Sequence, residues 1–171
     1  MTIKKQFGEN GQLMIESMVG ISIVLVGLLG VVTLLIRSSQ WNRDVTLKLQ
    51  ATYLAAEGIE LVKNKIDSNI AKMLKEGGTT VWNSGLPFGD YKVASDGEFS
   101  VFTSDYLKFD SVQGYGYKVG DRSPFTRKVI LFNTSTGGED PIGVRSEVSW
   151  GAGKMVVLED VFTFWRKQGT R

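Results

Sequence analysis

The sequence predicts an α+β fold: one long amino-terminal helix, a membrane half followed by an amphipathic half, packed on a carboxy-terminal antiparallel β-sheet. Three observations predict it. Twenty residues from Ser17 to Ile36 (SMVGISIVLVGLLGVVTLLI) contain no Asp, Glu, Lys or Arg. Helical apolar periodicity then continues to Lys75 without a turn cluster. From Arg127 onward, apolar and polar residues alternate as they do in half-buried strands.

The chain's 171 residues leave room for one domain and an appendage. With 42% hydrophobic residues, 22% charged residues and three prolines, the composition is not that of a disordered chain. The net charge of +2, from 20 basic and 18 acidic residues, makes no bulk electrostatic case for nucleic acid. Cys and His are both absent. That removes disulfide frameworks, the usual zinc sites, thiol nucleophiles and His-based triads, so an enzyme would have to work with carboxylates, Lys, Tyr or Ser.

The charge-free run comes first in order. At about 1.5 Å per residue its twenty residues reach roughly 30 Å, the thickness of a bilayer's hydrocarbon core. Ser22 and Thr33 are tolerable there because their hydroxyls can bond back to helix carbonyls. A secretory signal peptide would share the basic start at Lys4 and Lys5. Its apolar stretch would be shorter, however, and Arg37-Ser38-Ser39-Gln40-Trp41 is a poor cleavage site. A plain single-pass anchor also fits the run. Charge does not orient it, because Lys4 and Lys5 on one side face Arg37, Arg43 and Lys48 on the other.

Just before the run stands Gly11-Gln12-Leu13-Met14-Ile15-Glu16. A carboxylate at the lip of a spanning helix is costly, about 2.5–3.5 kcal/mol at the bilayer centre and less near the end, so it calls for a partner. Cutting after Gly11 would create an ammonium on Gln12. That group lies four residues before Glu16, in reach on one helix face or from a neighbouring subunit.

These residues resemble the prepilin signal of type IV pilins and their relatives. The resemblance implies a basic leader, Met1–Gly11, kept on the cytoplasmic side. It implies cleavage between Gly11 and Gln12 by a prepilin peptidase, with N-methylation of Gln12 by the same enzyme. It also implies an assembly role for Glu16. Gln12 departs from the usual Phe at the first mature position, and the span lacks the mid-membrane Pro of many family helices. Only Gly20, Gly27 and Gly30 weaken this helix.

From Arg37 to Lys75 the expected core stripe is Val45, Leu49, Ala56, Ile59, Val62, Ile66, Ile70 and Met73. A second row, Leu47, Leu54 and Leu61, serves either the core or packing between subunits. Arg37, Arg43, Lys48, Glu57, Glu60, Lys63 and Lys65 are expected outside. Gly58 reads as a weak point costing about 1 kcal/mol against Ala. The segment from Tyr53 to Asn64 resembles the helix continuation of one group of minor pilins.

Glu76-Gly77-Gly78 is the expected helix stop. After a loop to Asp90, strands are expected at Tyr91–Ala94, Phe99–Phe102 and Tyr115–Val119. They are followed by Arg127–Phe132, by a strand alternating through Ile142, Val144, Val148 and Trp150, by a turn at Gly151-Ala152-Gly153, and by Lys154–Trp165. Strands in succession with no helix between them predict a meander on the helix. This ending resembles minor pilins of the pilus-modification type. Trp150 and Trp165 are expected to be core or rim aromatics.

Little else points to chemistry. Glu159 and Asp160, adjacent on a strand, point to opposite faces and cannot form an acid/base couple; Glu139-Asp140 is a second such pair. Gly114-Tyr115-Gly116-Tyr117 and Gly137-Gly138 lack the context of a phosphate loop. Thr136–Pro141 with Asp110 or Asp121 could ligate calcium, although EF-hand spacing is missing. Lys118, Arg122, Arg127 and Lys128, near Tyr115, Tyr117 and Phe125, are expected on a solvated loop and not on a DNA backbone.

The sequence therefore predicts a leader (1–11), a transmembrane and assembly helix (12–36), an amphipathic helix (37–75) and a β-rich head (76–171). The expected protein is a minor pilin or pseudopilin, not an enzyme. Its partners would be the prepilin peptidase, other pilin subunits and the membrane through Ser17–Ile36. No cofactor, metal, small molecule or nucleic acid is expected. It would start in the bacterial cytoplasmic membrane with its head outside, then enter an extracellular pilus. The alternative is a membrane-anchored extracytoplasmic binding domain that never polymerises.

Overall fold

The computed structural model describes residues 9–75, 81–134 and 141–164. The chain divides into two compact units, Met1–Thr46 and Leu47–Arg171. One helix, α1, runs from Glu9 to Lys75 and supplies the first unit and part of the second. It starts two residues before Gly11, inside the segment expected as a leader. Lys4, Lys5 and the Glu76-Gly77-Gly78 stop lie outside the described residues.

In the first unit every described side chain from Gly11 to Thr46 is exposed. Regular helix persists here without tertiary packing because the run has no Pro. Its hydroxyls also turn back onto the backbone: Ser17 donates to the Met14 carbonyl at 2.9 Å, Ser22 to Met18 at 2.7 Å and Thr33 to Leu29 at 2.8 Å.

In the second unit Leu47–Lys75 packs on an antiparallel sheet, giving the α+β layout. The strands are β1 (Gly89–Val93), β2 (Phe99–Val101), β3 (Lys108–Asp110), β4 (Gly114–Gly116), β5 (Asp121–Arg122), β6 (Phe125–Asn133), β7 (Ile142–Trp150) and β8 (Lys154–Phe162). The main sheet has the order β2-β1-β6-β7-β8, and β4-β3-β5 forms a small second sheet. The expected meander is therefore present in β6-β7-β8 but not throughout. β1 pairs with β6, and the short strands inserted between β2 and β6 form a sheet of their own. Of the expected strand Tyr115–Val119, only the part within Gly114–Gly116 pairs. The β7–β8 turn falls at Gly151-Ala152-Gly153 as expected; Gly151 and Gly153 take positive φ there (57° and 77°), which a side chain would oppose.

Two apolar clusters fill the space between helix and sheet. One gathers Val62 and Ile66 of α1 with Leu86, Val93, Val129, Leu131, Ile142 and Val144. The other gathers Ala51, Leu54 and Ala55 with Leu107, Phe125, Val148 and Trp150. The helix face in contact is thus Ala51-Leu54-Ala55-Gly58-Val62-Ile66-Asn69. Three members of the expected stripe, Val45, Leu49 and Ala56, are exposed instead. The second row supplies buried Leu54 and half-buried Leu47 and Leu61, because the sheet meets the helix on that side.

Between the clusters lies a polar layer. On β6, Arg127 falls between Phe125 and Val129; on β7, Ser146 falls between Val144 and Val148; on α1, Gly58 falls between Ala55 and Val62. A Cβ on Gly58 would stand 2.5 Å from the Ser146 hydroxyl and 3.2 Å from Val129 Cγ2. Gly58 is therefore a point of close approach and not merely a weak helix residue. Arg127 is wholly buried. Its Nη1 donates to the Leu54 carbonyl at 3.2 Å and to Glu57 Oε2 at 2.9 Å, and its Nη2 donates to the Val93 carbonyl at 2.5 Å. One expectation is corrected here, since Arg127 is not on a solvated loop; Glu57, expected outside, is half-buried and turned onto Arg127. A buried guanidinium needs such partners, since an unpaired charge there would cost several kcal/mol.

Candidate functional site

The segment from Gly11 to Ile36 holds the predicted site residues Gly11, Gln12 and Glu16, and all three are exposed on α1. It combines length, apolarity and complete exposure. Within the window long and apolar enough to cross a membrane, none of the residues is buried. Large side chains on every side of the helix are exposed: Leu13, Ile15, Val19, Ile23, Val26 and Leu29 among them. A helix that is apolar all round is stable when its surroundings are apolar too.

Glu16 is the one acidic residue between Gly11 and Ile36. Gln12 sits four residues before it and Gly20 four after, so the three share a helix face. A side chain added at Gly20, Gly27 or Gly30 would meet nothing within 4 Å. These glycines leave bare backbone where another helix can come close. The apolar surface goes on beyond the run at Trp41, which is 79% exposed, and at Val45. Within the second unit Leu49 and Tyr53 are exposed as well.

The head offers less convergent chemistry. A cleft of about 380 Å³ is lined by Ala94, Ser95, Asp96, Gln113, Gly114, Gly116, Tyr117, Lys118 and Val119. Its cation, Lys118, donates to Glu98 and lies 3.6 Å from Asp96. The hydrogen bond to Glu98, followed by that carboxylate's charge, pushes the Lys118 pKa up. Lys128, expected on a loop, is half-buried in β6 and pairs with Asp90 at 3.0 Å. Arg122 lies over the Tyr106 ring, 3.8 Å from its centroid. The basic residues weighed for DNA are thus committed to partners of their own.

The carboxylate pairs do not gather either. Glu159 accepts from Arg145 Nε at 2.9 Å, whereas Asp160 accepts from the Val161 backbone at 2.8 Å. Asp110 accepts from the backbone N–H groups of Gln113 and Val112, which lower its pKa in that order. Thr136–Glu139, with Gly137-Gly138 and the Glu139-Asp140 pair, lies outside the described residues, as does Trp165. The ends of that segment are closed by Thr134, whose N–H and hydroxyl both donate to the Pro141 carbonyl at 3.4 Å. Trp150 is buried and edge-on to Phe125, with centroids 6.3 Å apart, which is a core aromatic's position. Burial is the main cause pushing the Tyr117 phenol up, opposed by the Arg127 cation; the phenol donates to the Arg127 carbonyl at 3.1 Å.

Sequence reasoning missed Arg127 although its signal was present. In Phe125-Thr126-Arg127-Lys128-Val129 it stands in phase with two apolar residues, so period two turns it inward. Compared with known proteins, the chain matches no family model, no curated protein and no solved structure.

Proposed function

We propose that the chain is a minor pilin or pseudopilin, a filament subunit held in the membrane and assembled through the same helix. The observation that carries this reading is the wholly exposed apolar helix from Gly11 to Ile36, with Glu16 as its single carboxylate at the entrance. In this reading a prepilin peptidase cuts after Gly11, and the new amino group on Gln12 is the site of methylation. Ser17–Ile36 anchors the chain in the cytoplasmic membrane with the head outside, until the helix leaves lipid to pack against other pilins. Glu16 is neutralised by a neighbour's amino terminus. The work done is recognition and assembly, not turnover.

The bare glycines at 20, 27 and 30 support close helix packing, and the exposed Trp41, Val45, Leu49 and Tyr53 extend the apolar surface beyond the lipid. The test has two arms. Co-expression with a prepilin peptidase is expected to remove Met1–Gly11, read as intact mass. Glu16→Ala is expected to leave a folded, inserted and cleaved chain that is absent from sheared filaments. Normal incorporation of that variant would remove Glu16's role. A chain that is never cut would favour the anchored domain that does not polymerise.

A further inference from the structure

Gln12 carries an amide nitrogen and a side-chain carboxamide that cannot react while Gly11 precedes it. Cleavage changes this by turning the amide nitrogen into an amine. Resting on the processing after Gly11 proposed above, we infer that mature Gln12, in chains left unmethylated, closes on itself into a pyroglutamyl lactam, and that a closed chain no longer offers the cation that neutralises a neighbour's Glu16. The α-amino nitrogen attacks the side-chain Cδ, the N–Cδ bond forms, the Cδ–Nε2 bond breaks, and the side-chain nitrogen departs as ammonia with the amine's proton. No oxidant or co-reactant is consumed. The chain loses one ammonia and one site of positive charge.

The surroundings of Gln12 favour the reaction. Its side chain is exposed, and a Cβ at neighbouring Gly11 would meet nothing within 4 Å, so the ring has room. Cutting makes Gln12 the first residue of the helix, where the first four N–H groups have no intrahelical acceptor. The N–H lost on closure was therefore bonded to nothing in the helix. The new ring spans N and Cα as proline's does, a shape that the first helical position accepts. The lactam is neutral, at the mouth of a twenty-residue run without charge, where an ammonium is disfavoured.

Glu16 controls the rate. It lies four residues on, on the same face, within reach of its own chain's ammonium before a neighbour's takes its place in assembly. An ammonium nitrogen has no free lone pair and cannot attack. Pairing with Glu16 thus delays closure, and closure in turn leaves Glu16 with a lactam N–H in place of a cation. Methylation and closure act on the same nitrogen; methylation keeps it charged and closure does not.

The experiment takes the full chain co-expressed with a prepilin peptidase, extracts it in detergent and incubates it at about pH 8, near the pKa of an α-amine. Intact mass and stepwise amino-terminal sequencing are followed over time. The expected result is a mature mass lighter by one ammonia and a blocked amino terminus that pyroglutamyl aminopeptidase reopens. Glu16→Gln is expected to close several-fold faster, and Gln12→Phe to be cut without ever losing ammonia. A mature chain that goes on reading Gln-Leu-Met, or carries only a methyl group, overturns the lactam and leaves the processing intact. A Glu16→Gln rate equal to wild type overturns the control by Glu16. A chain still bearing Met1–Gly11 overturns the processing and the lactam together.

Discussion

Val24 and Val62 are the same residue in the same helix, yet Val24 is 67% exposed and Val62 is fully buried. The sheet makes the difference. From Ala51 onward, β6 and β7 present Phe125, Val129, Val144 and Val148 to the helix, and a stripe of it disappears beneath them. In the first unit no described residue covers the apolar surface, although it is the more apolar of the two stretches. Propensity and periodicity place a helix in both units, but burial depends on what else is available to cover it. For the first unit, in the function proposed above, the cover is lipid or other chains.

Substitutions should separate the two regions sharply. The largest effect is expected from Arg127→Ala, which strips the Leu54 and Val93 carbonyls and Glu57 of their shared donor. A buried polar group that loses its partner costs about 1–3 kcal/mol, and two carbonyls are affected, so the urea midpoint of the detergent-extracted chain, followed by tryptophan fluorescence, should fall steeply. Membrane partition should stay as it was. Val24→Arg should do the reverse, opposing insertion by about 2.5–3.5 kcal/mol at mid-span while the head's urea midpoint holds. A fall in the head's midpoint on Val24→Arg would mean that the two units are not independent.

Gly58→Ala is a smaller and more discriminating test. Helix propensity alone predicts a gain of about 1 kcal/mol. Contact with Ser146 and Val129 predicts a loss of about 1–3 kcal/mol by overpacking. The loss is expected, with most of it recovered when Ser146→Ala removes the hydroxyl in the way. A gain would show that the helix can move off the sheet at low cost.

The smallest effects concern pH and belong to the head alone. Tyr117 has its pKa raised by folding, so the folded state holds that proton more tightly than the unfolded chain does. Stability should be intact below pH 10.0, the ordinary value, and fall as pH rises beyond it. Asp105, hydrogen-bonded first by Lys92 and then by Thr103, and Asp110, held by two backbone N–H groups, have lowered values. Their contribution should be present above pH 3.8 and fade as pH falls below it. Tyr117→Phe should flatten the alkaline limb of a thermal-melting profile and leave the acid limb unchanged.

The parts most legible in the sequence were those with enough repeats to show a period, although the short β1 and β2 also overlap expected strands. β6, β7 and β8 each run for nine residues, and the charge-free run has twenty. β3 and β5, with three and two residues, are too short to alternate and went unseen. The helix face was misjudged where Val45 and Leu49 keep helical spacing yet are exposed, which periodicity alone cannot distinguish. Arg127 was legible but was overridden by the expectation that Arg is solvated. Gly11, Gln12 and Glu16 were legible as a motif, and the structure adds their exposure.

The polar layer also bears on mechanics. Within the second unit Leu47–Lys75 lies on the sheet, so a pull along this stretch would load its contacts with β6 and β7 in shear. Slipping by one helical turn, about 5.4 Å, would bring Leu54 or Val62 to the level of Gly58, against the Ser146 hydroxyl. The same slip would pull Glu57 and the Leu54 carbonyl off the guanidinium. The Gly58 contact and the Arg127 hydrogen bonds therefore both oppose sliding of this stretch along the sheet.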